Sequence, residues 1–125
     1  MAMARRNADE LERERQKHRE AVDSAFDEEE DPLAPYERFV KWIIENYGLD
    51  DPNSGLLDLL EETTMQFKDD EAYKGNRMYL NLWIMYANLV EDSATVLAFL
   101  VENGIGTSFC TLYEEYAKVL EKDGM

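Results

Sequence analysis

Between Asn76 and Val90 the apolar positions of this chain run almost all the way round a helical wheel. Met78, Tyr79, Leu80, Leu82, Trp83, Ile84, Met85, Tyr86, Leu89 and Val90 leave only a narrow polar strip through Arg77, Asn81 and Asn88. A helix apolar on nearly every side must be wrapped by neighbours on most sides. The stretch is too short to span a bilayer and is interrupted by Arg77 and two asparagines. It therefore predicts a central helix of a small helical domain, with Asn76 as its N-cap and a restart at Glu91-Asp92-Ser93.

The remaining apolar positions repeat at helical spacing. Residues 8–26 predict a charged helix with a thin seam through Leu11, His18, Val22, Ala25 and Phe26, supported by Glu10–Arg13, Glu12–Arg15 and Glu14–Lys17 pairs worth about a few tenths of a kcal/mol each. The acidic run Asp27–Asp31 before Pro32 ends it. A second helix starts near Ala34-Pro35 and buries Tyr36, Phe39, Val40, Ile43 and Tyr47, widened by Trp42 and Ile44, until Gly48 stops it. Leu56, Leu57, Leu60, Thr63, Thr64 and Phe67 mark a partner helix over 55–69, forming an antiparallel hairpin with the one before. After the central helix, 93–103 predicts a helix capped by Ser93 that buries Val96, Leu97, Phe99 and Leu100. Asn103 to Thr107 predicts a tight turn, with Gly104 left-handed, Ile105 folded back and Thr107 capping a last helix over 108–122. That helix is expected to bury Phe109, Leu112, Tyr113, Tyr116 and Leu120.

An aromatic pattern recurs within these helices. Trp83-x-x-Tyr86-Ala87-x-x-x-Glu91 is repeated as Tyr113-x-x-Tyr116-Ala117-x-x-x-Glu121, and more loosely as Tyr36-x-x-Phe39-Val40 with Glu45 one place late. Two rings and a small residue at i, i+3 and i+4 share one helix face, where the small residue admits a neighbouring helix. The copies start 47 and 30 residues apart, bracketing the period of tetratricopeptide-type helix pairs. No stretch shows strand alternation. The expected fold is all-α: a short tetratricopeptide-like helical-repeat array over 32–125, preceded by a charged flanking helix and acidic linker over 1–31.

Charge narrows the function. The chain has 28 acidic against 13 basic residues, net −15. Residues 1–26 are balanced, so the acidic excess belongs to the array and its linker. That argues against nucleic acid and against anionic membrane surfaces. It suits a protein partner bearing Lys or Arg, or simply maintains solubility. The single cysteine, Cys110, excludes an internal disulfide and is expected as a buried thiol beside Phe109 and Leu112. The single histidine, His18, lacks the company a metal site needs and is expected as a packed or exposed side chain. There is no glycine-rich phosphate loop and no nucleophile–base pair with supporting groups. The expectation is a monomeric binding module without cofactor or enzymatic activity, in a reducing, cytosolic or nuclear compartment.

Taken in order, the motifs resemble a known family. They are Asp31-Pro32-Leu33; Tyr36-x-x-Phe39-Val40-Lys41-Trp42; Glu45-Asn46-Tyr47; Leu59-Leu60-Glu61; Tyr73; Arg77-Met78-Tyr79-Leu80-x-Leu82-Trp83; Phe99-Leu100; Asn103-Gly104-Ile105-Gly106; and Tyr113-x-x-Tyr116-Ala117-x-x-Leu120-Glu121. Across about three quarters of the chain this set resembles the N-terminal tetratricopeptide-like domain of the Bub, BubR and Mad spindle-checkpoint proteins.

The resemblance implies a non-catalytic scaffold domain of a larger checkpoint protein, found in the nucleus and at kinetochores with a cytoplasmic pool. Its implied partners are a short helical segment of the outer-kinetochore scaffold and the anaphase-promoting complex with its mitotic activator. Carried over by position, the partner-facing residues are Trp83, Tyr86, Val90 and Phe99. A Lys-Glu-Asn box, which precedes this domain in the BubR/Mad branch, does not occur in these residues. The kinase domain of the other branch is likewise outside them. The alternative is a half-tetratricopeptide scaffold of RNA processing, whose repeats share the Trp-x-x-Tyr-Ala pattern without the Gly-Ile-Gly turn.

Overall fold

A computed structural model describes residues 7–123. Among them every regular element is a helix, and the chain divides into two compact units, Met1–Ser54 and Gly55–Met125.

The first unit holds α1 (Ala8–Asp23), α2 (Ala25–Glu28) and α3 (Leu33–Tyr47). Asn7 caps α1 by accepting from the Glu10 amide at 2.8 Å. The helix is interrupted at Ser24, whose hydroxyl donates to the Glu20 carbonyl at 3.0 Å. The restart leaves Ala25 buried and turns Phe26, expected on the seam, outward at 54% exposure. The acidic run does end this segment, and its last member starts the next: the Asp31 carboxylate accepts from the Leu33 amide at 3.1 Å. Tyr36, Phe39, Val40 and Ile43 are buried as their spacing requires, and Trp42 joins them. Gly48 closes α3 at φ 80°, a conformation that favours glycine.

The α1 helix, expected as a flanking segment, lies along α3. Its thin seam docks through polar and aromatic groups more than through aliphatic ones. His18 stacks on Phe39 at 5.4 Å and tilts against Trp42 at 5.5 Å. The Arg15 guanidinium sits over the rings of Trp42 and Tyr47, 5.2 and 5.3 Å from their centroids. The Trp42 indole nitrogen donates to Glu14 at 2.8 Å.

The second unit holds α4 (Leu56–Phe67), α5 (Glu71–Lys74), α6 (Arg77–Leu89), α7 (Ser93–Glu102) and α8 (Cys110–Asp123). As the all-round apolar pattern requires, α6 is central, touched by α4, α5, α7 and α8. In α4 the buried stripe is Leu56, Leu59, Leu60, Thr63, Thr64 and Phe67. This i, i+3, i+4, i+7, i+8, i+11 phase leaves Leu57, expected inside, at 41% exposure. Thr63 and Thr64 are tolerated in the core because each hydroxyl donates back to the carbonyl four residues earlier, at 2.7 and 2.8 Å. The break expected after Phe67 contains the short helix α5, capped by Asp70.

The turn after α7 has both bonds of a Schellman closure. The Ile105 amide donates to the Leu100 carbonyl at 2.9 Å and the Gly104 amide to Val101 at 3.3 Å. Gly104 is left-handed at φ 70° and Ile105 is fully buried. Thr107 does not cap α8, which starts at Cys110 rather than 108. The 107–109 segment is instead a turn in which Phe109 bonds back to Gly106 at 3.0 Å.

The last helix departs most from expectation. Leu112 is fully buried, but Tyr113 is 47% and Leu120 51% exposed. Phe109 and Tyr116 are only partly covered, and Cys110, expected as a buried thiol, is exposed. The α8 helix rests on α6 and α7 through the side carrying Leu112, a quarter-turn or more away from Tyr113 and Leu120.

Candidate protein-binding surface

The α6–α7 pair is built on capped ends and a run of touching rings. The Asn76 side chain accepts from the Tyr79 amide at 2.9 Å, the N-cap expected from the sequence. From Phe67 the rings continue through Tyr79 (6.1 Å) and Trp83 (6.3 Å) to Tyr86 (6.1 Å) and Phe99 (5.4 Å). Most of these contacts are edge-on, the arrangement that ring quadrupoles favour. The Tyr79 hydroxyl donates to the Thr64 carbonyl and so ties α6 to α4. Burial pushes that hydroxyl up to about 12, partly opposed by the neighbouring Trp83 indole.

The cap of α7 is Asp92, one residue before the Ser93 expected in that role. Its carboxylate accepts from the Thr95 amide at 3.2 Å and the Thr95 hydroxyl at 2.7 Å. These bonds hold its pKa below the ordinary carboxylate value. Ser93 serves the other helix: its hydroxyl donates to the Ala87 carbonyl at 2.6 Å, satisfying the last turn of α6. The short link between the helices is thus bonded from both sides, which fixes the angle at which Phe99 meets Trp83.

Trp83, Tyr86 and Phe99 come together, and their exposures differ. Trp83 is 2% exposed and its indole nitrogen is buried without a hydrogen bond of ordinary geometry. It supports the surface from beneath. Tyr86 and Phe99 are partly exposed. The Tyr86 hydroxyl lies 3.5 Å from a Glu61 carboxylate oxygen, and its pKa is raised by burial and by that charge. Val90 lines a different feature, a cleft of about 480 Å³ with Asn88, Glu91 and Ser93 on one side and Glu115, Lys118, Val119 and Lys122 of α8 on the other. Reading α8 as a buried helix concealed this cleft from the sequence. Its lysines at i and i+4 were the available sign.

Among the described residues no group of three or more His, Cys, Asp or Glu side chains is placed to hold a metal, and no helix is long and apolar enough to cross a membrane. What the surface offers is apolar contact area edged by carboxylates.

Residues 13–125 match the family model described as Mad3/BUB1 homology region 1. The chain belongs to the Mad3/BUB1 family. It is 31% identical over 116 residues to the mitotic spindle checkpoint component mad3 of Schizosaccharomyces pombe, covering 92% of this chain and 37% of that protein. It thus spans little more than a third of that relative. Among solved structures it matches a chain of the mitotic checkpoint complex, with TM-score 0.87 and 30% identity over 95% of this chain and 58% of the other. It also matches the conserved N-terminal domain of the mitotic checkpoint component BUB1, with TM-score 0.83 and 26% identity over 93% and 61%. The family and the all-α, tetratricopeptide-like fold expected from the motifs are therefore shown, and the region is the N-terminal, non-kinase one.

Proposed function

We propose that this Mad3/BUB1 region is a non-catalytic protein-interaction domain that brings a spindle-checkpoint protein to its partners through the outer face of α6 and α7. One observation carries the reading: Tyr86 and Phe99 stay partly exposed while resting on the buried Trp83. Aromatic side chains held rigid from below are the usual anchors of a binding surface, since little conformational freedom remains to be lost. Val90, at the end of α6, extends the surface toward α8.

The occupant proposed for it is an amphipathic helical segment of the outer-kinetochore scaffold, with anchors at i, i+3 or i+4 and i+7. The acidic surroundings, in a chain of net charge −15, steer a segment flanked by Lys or Arg. A second assembly, with the anaphase-promoting complex and its mitotic activator, is supported by the likeness to a chain of the mitotic checkpoint complex. The corresponding locations are the kinetochore and nucleus, with a cytoplasmic pool. The RNA-processing alternative is disfavoured by the family match and by the net negative charge.

The test is a pull-down from mitotic extract with wild type, Tyr86→Ala, Val90→Ala and Phe99→Ala, each first compared by thermal melting. Loss of kinetochore partners from variants that melt like wild type supports the surface. Full retention of every partner by well-folded variants rejects it, and binding of single-stranded RNA at physiological salt would revive the alternative.

A further inference from the structure

The twin of the α6 aromatic pattern lies uncovered on α8. In α6, Trp83 and Ala87 are 2% and 0% exposed, and Phe99 of α7 packs on the Trp83 ring. In α8 the corresponding Tyr113 is 47% exposed, Ala117 is exposed, and Leu120 extends the stripe at 51%. Positions 113, 117 and 120 follow i, i+4, i+7 and form one apolar ridge on a single helix. The Tyr113 hydroxyl donates to the Thr107 carbonyl at 3.1 Å, which holds the ring at the start of the helix.

Charge indicates what fits there. Glu114 and Glu121, both exposed, flank the ridge one turn on either side of Ala117. Lys118, the basic residue between them, reaches back to Glu115 at 3.6 Å. A second copy of the chain would set glutamates against glutamates when two such helices meet antiparallel, on top of a mutual net charge of −15. A helix with the same apolar spacing and Lys or Arg along its edge meets no such repulsion.

We propose that the Tyr113–Ala117–Leu120 ridge of α8 is a second docking surface, occupied by an amphipathic helix of a partner protein with a basic flank. Such a helix would lie on α8 as α7 lies on α6, its apolar anchors beside Ala117 and its cations on Glu114 and Glu121. This surface is distinct from the α6–α7 face and stands or falls independently of it.

Cys110 supplies a built-in reporter, being exposed and one turn before Tyr113 and Glu114. Two synthetic helical peptides with leucines at i, i+4, i+7 and i+11, one flanked by lysines and the other by glutamates, are added to the full chain. Alkylation of Cys110 by iodoacetamide is then timed. The expected result is that the lysine-flanked peptide slows the reaction, that raised salt weakens the effect, and that Leu120→Lys cuts affinity about tenfold or more, as for a lost anchor. Tyr113→Phe, which keeps the ring, should retain binding. Equal protection by the glutamate-flanked peptide, or none by either, overturns the proposal. So does concentration-dependent dimerisation abolished by Leu120→Lys, or a longer form of the polypeptide in which the chain itself shields Tyr113 and Leu120.

Discussion

Trp83 and Phe99 meet with ring centroids 5.4 Å apart and planes tilted by 33°, the contact through which α7 rests on α6. Trp83 is nearly inaccessible, whereas Phe99 is partly open, so the same contact is core on one side and surface on the other.

That asymmetry predicts unequal costs. Trp83→Ala leaves a large cavity and should lower stability by about 3–5 kcal/mol. Phe99→Ala, losing a partly exposed ring and one ring contact, should cost about 1–2 kcal/mol. Urea titration followed by far-ultraviolet circular dichroism measures both. Equal losses would mean that Phe99 is as much a part of the core as Trp83.

The glycine turn separates two costs of a methyl group. At Gly104, φ is 70° and a Cβ would meet nothing within 4 Å, so Gly104→Ala carries only the backbone penalty of about 1 kcal/mol. Gly106 has φ 72°, but there a Cβ would lie 2.5 Å from Leu80 Cδ1. Its amide also donates to the Lys74 carbonyl at 2.7 Å, so the turn cannot easily move away. Gly106→Ala should therefore cost about 2 kcal/mol or more. Adding Leu80→Val to each variant should restore part of the loss at Gly106 and none at Gly104. Equal melting temperatures for the two single variants would contradict the predicted crowding.

Tyr79 predicts an alkaline stability loss. Its hydroxyl is pushed from 10.0 to about 12 in the folded chain. Between these values the unfolded state releases the proton while the folded state retains it. The contribution is thus complete below pH 10 and is lost as pH rises toward 12. Tyr79→Phe removes this slope and also the bond to Thr64, costing about 1 kcal/mol at neutral pH. Urea midpoints at pH 8, 10 and 11 for both proteins show whether the slopes differ.

His18 gives the opposite edge. Burial, followed by the charge of Arg38, lowers its pKa below 6.5, while Glu14 acts the other way. A proton therefore binds the unfolded form first, and stability contributed at neutral pH falls as pH drops through the region below 6.5. The stack on Phe39 places the effect at the α1–α3 contact. His18→Leu should flatten the acid-side dependence seen in Trp42 fluorescence. An unchanged profile would remove His18 as its source.

How much was legible in the chain can be judged element by element. The all-round apolar run of α6, the capping asparagine before it and the Gly-Ile-Gly turn carry their instructions locally, through side-chain spacing, one acceptor oxygen and one backbone conformation. These appear in the structure as expected. The family, too, was written in the order of its motifs.

What only the tertiary structure decided is which apolar positions find a neighbour. Tyr113-x-x-Tyr116-Ala117 and Trp83-x-x-Tyr86-Ala87 are equivalent as sequence, yet the α7 helix lies against Trp83 and no helix among the described residues covers Tyr113. Leu57 and Leu59 are likewise the same residue type, two positions apart, and only the phase at which α4 rests on α6 leaves one exposed and buries the other. Periodicity fixes the direction in which a side chain points along its own helix. Burial also depends on a second helix arriving there, and that information resides in the packing.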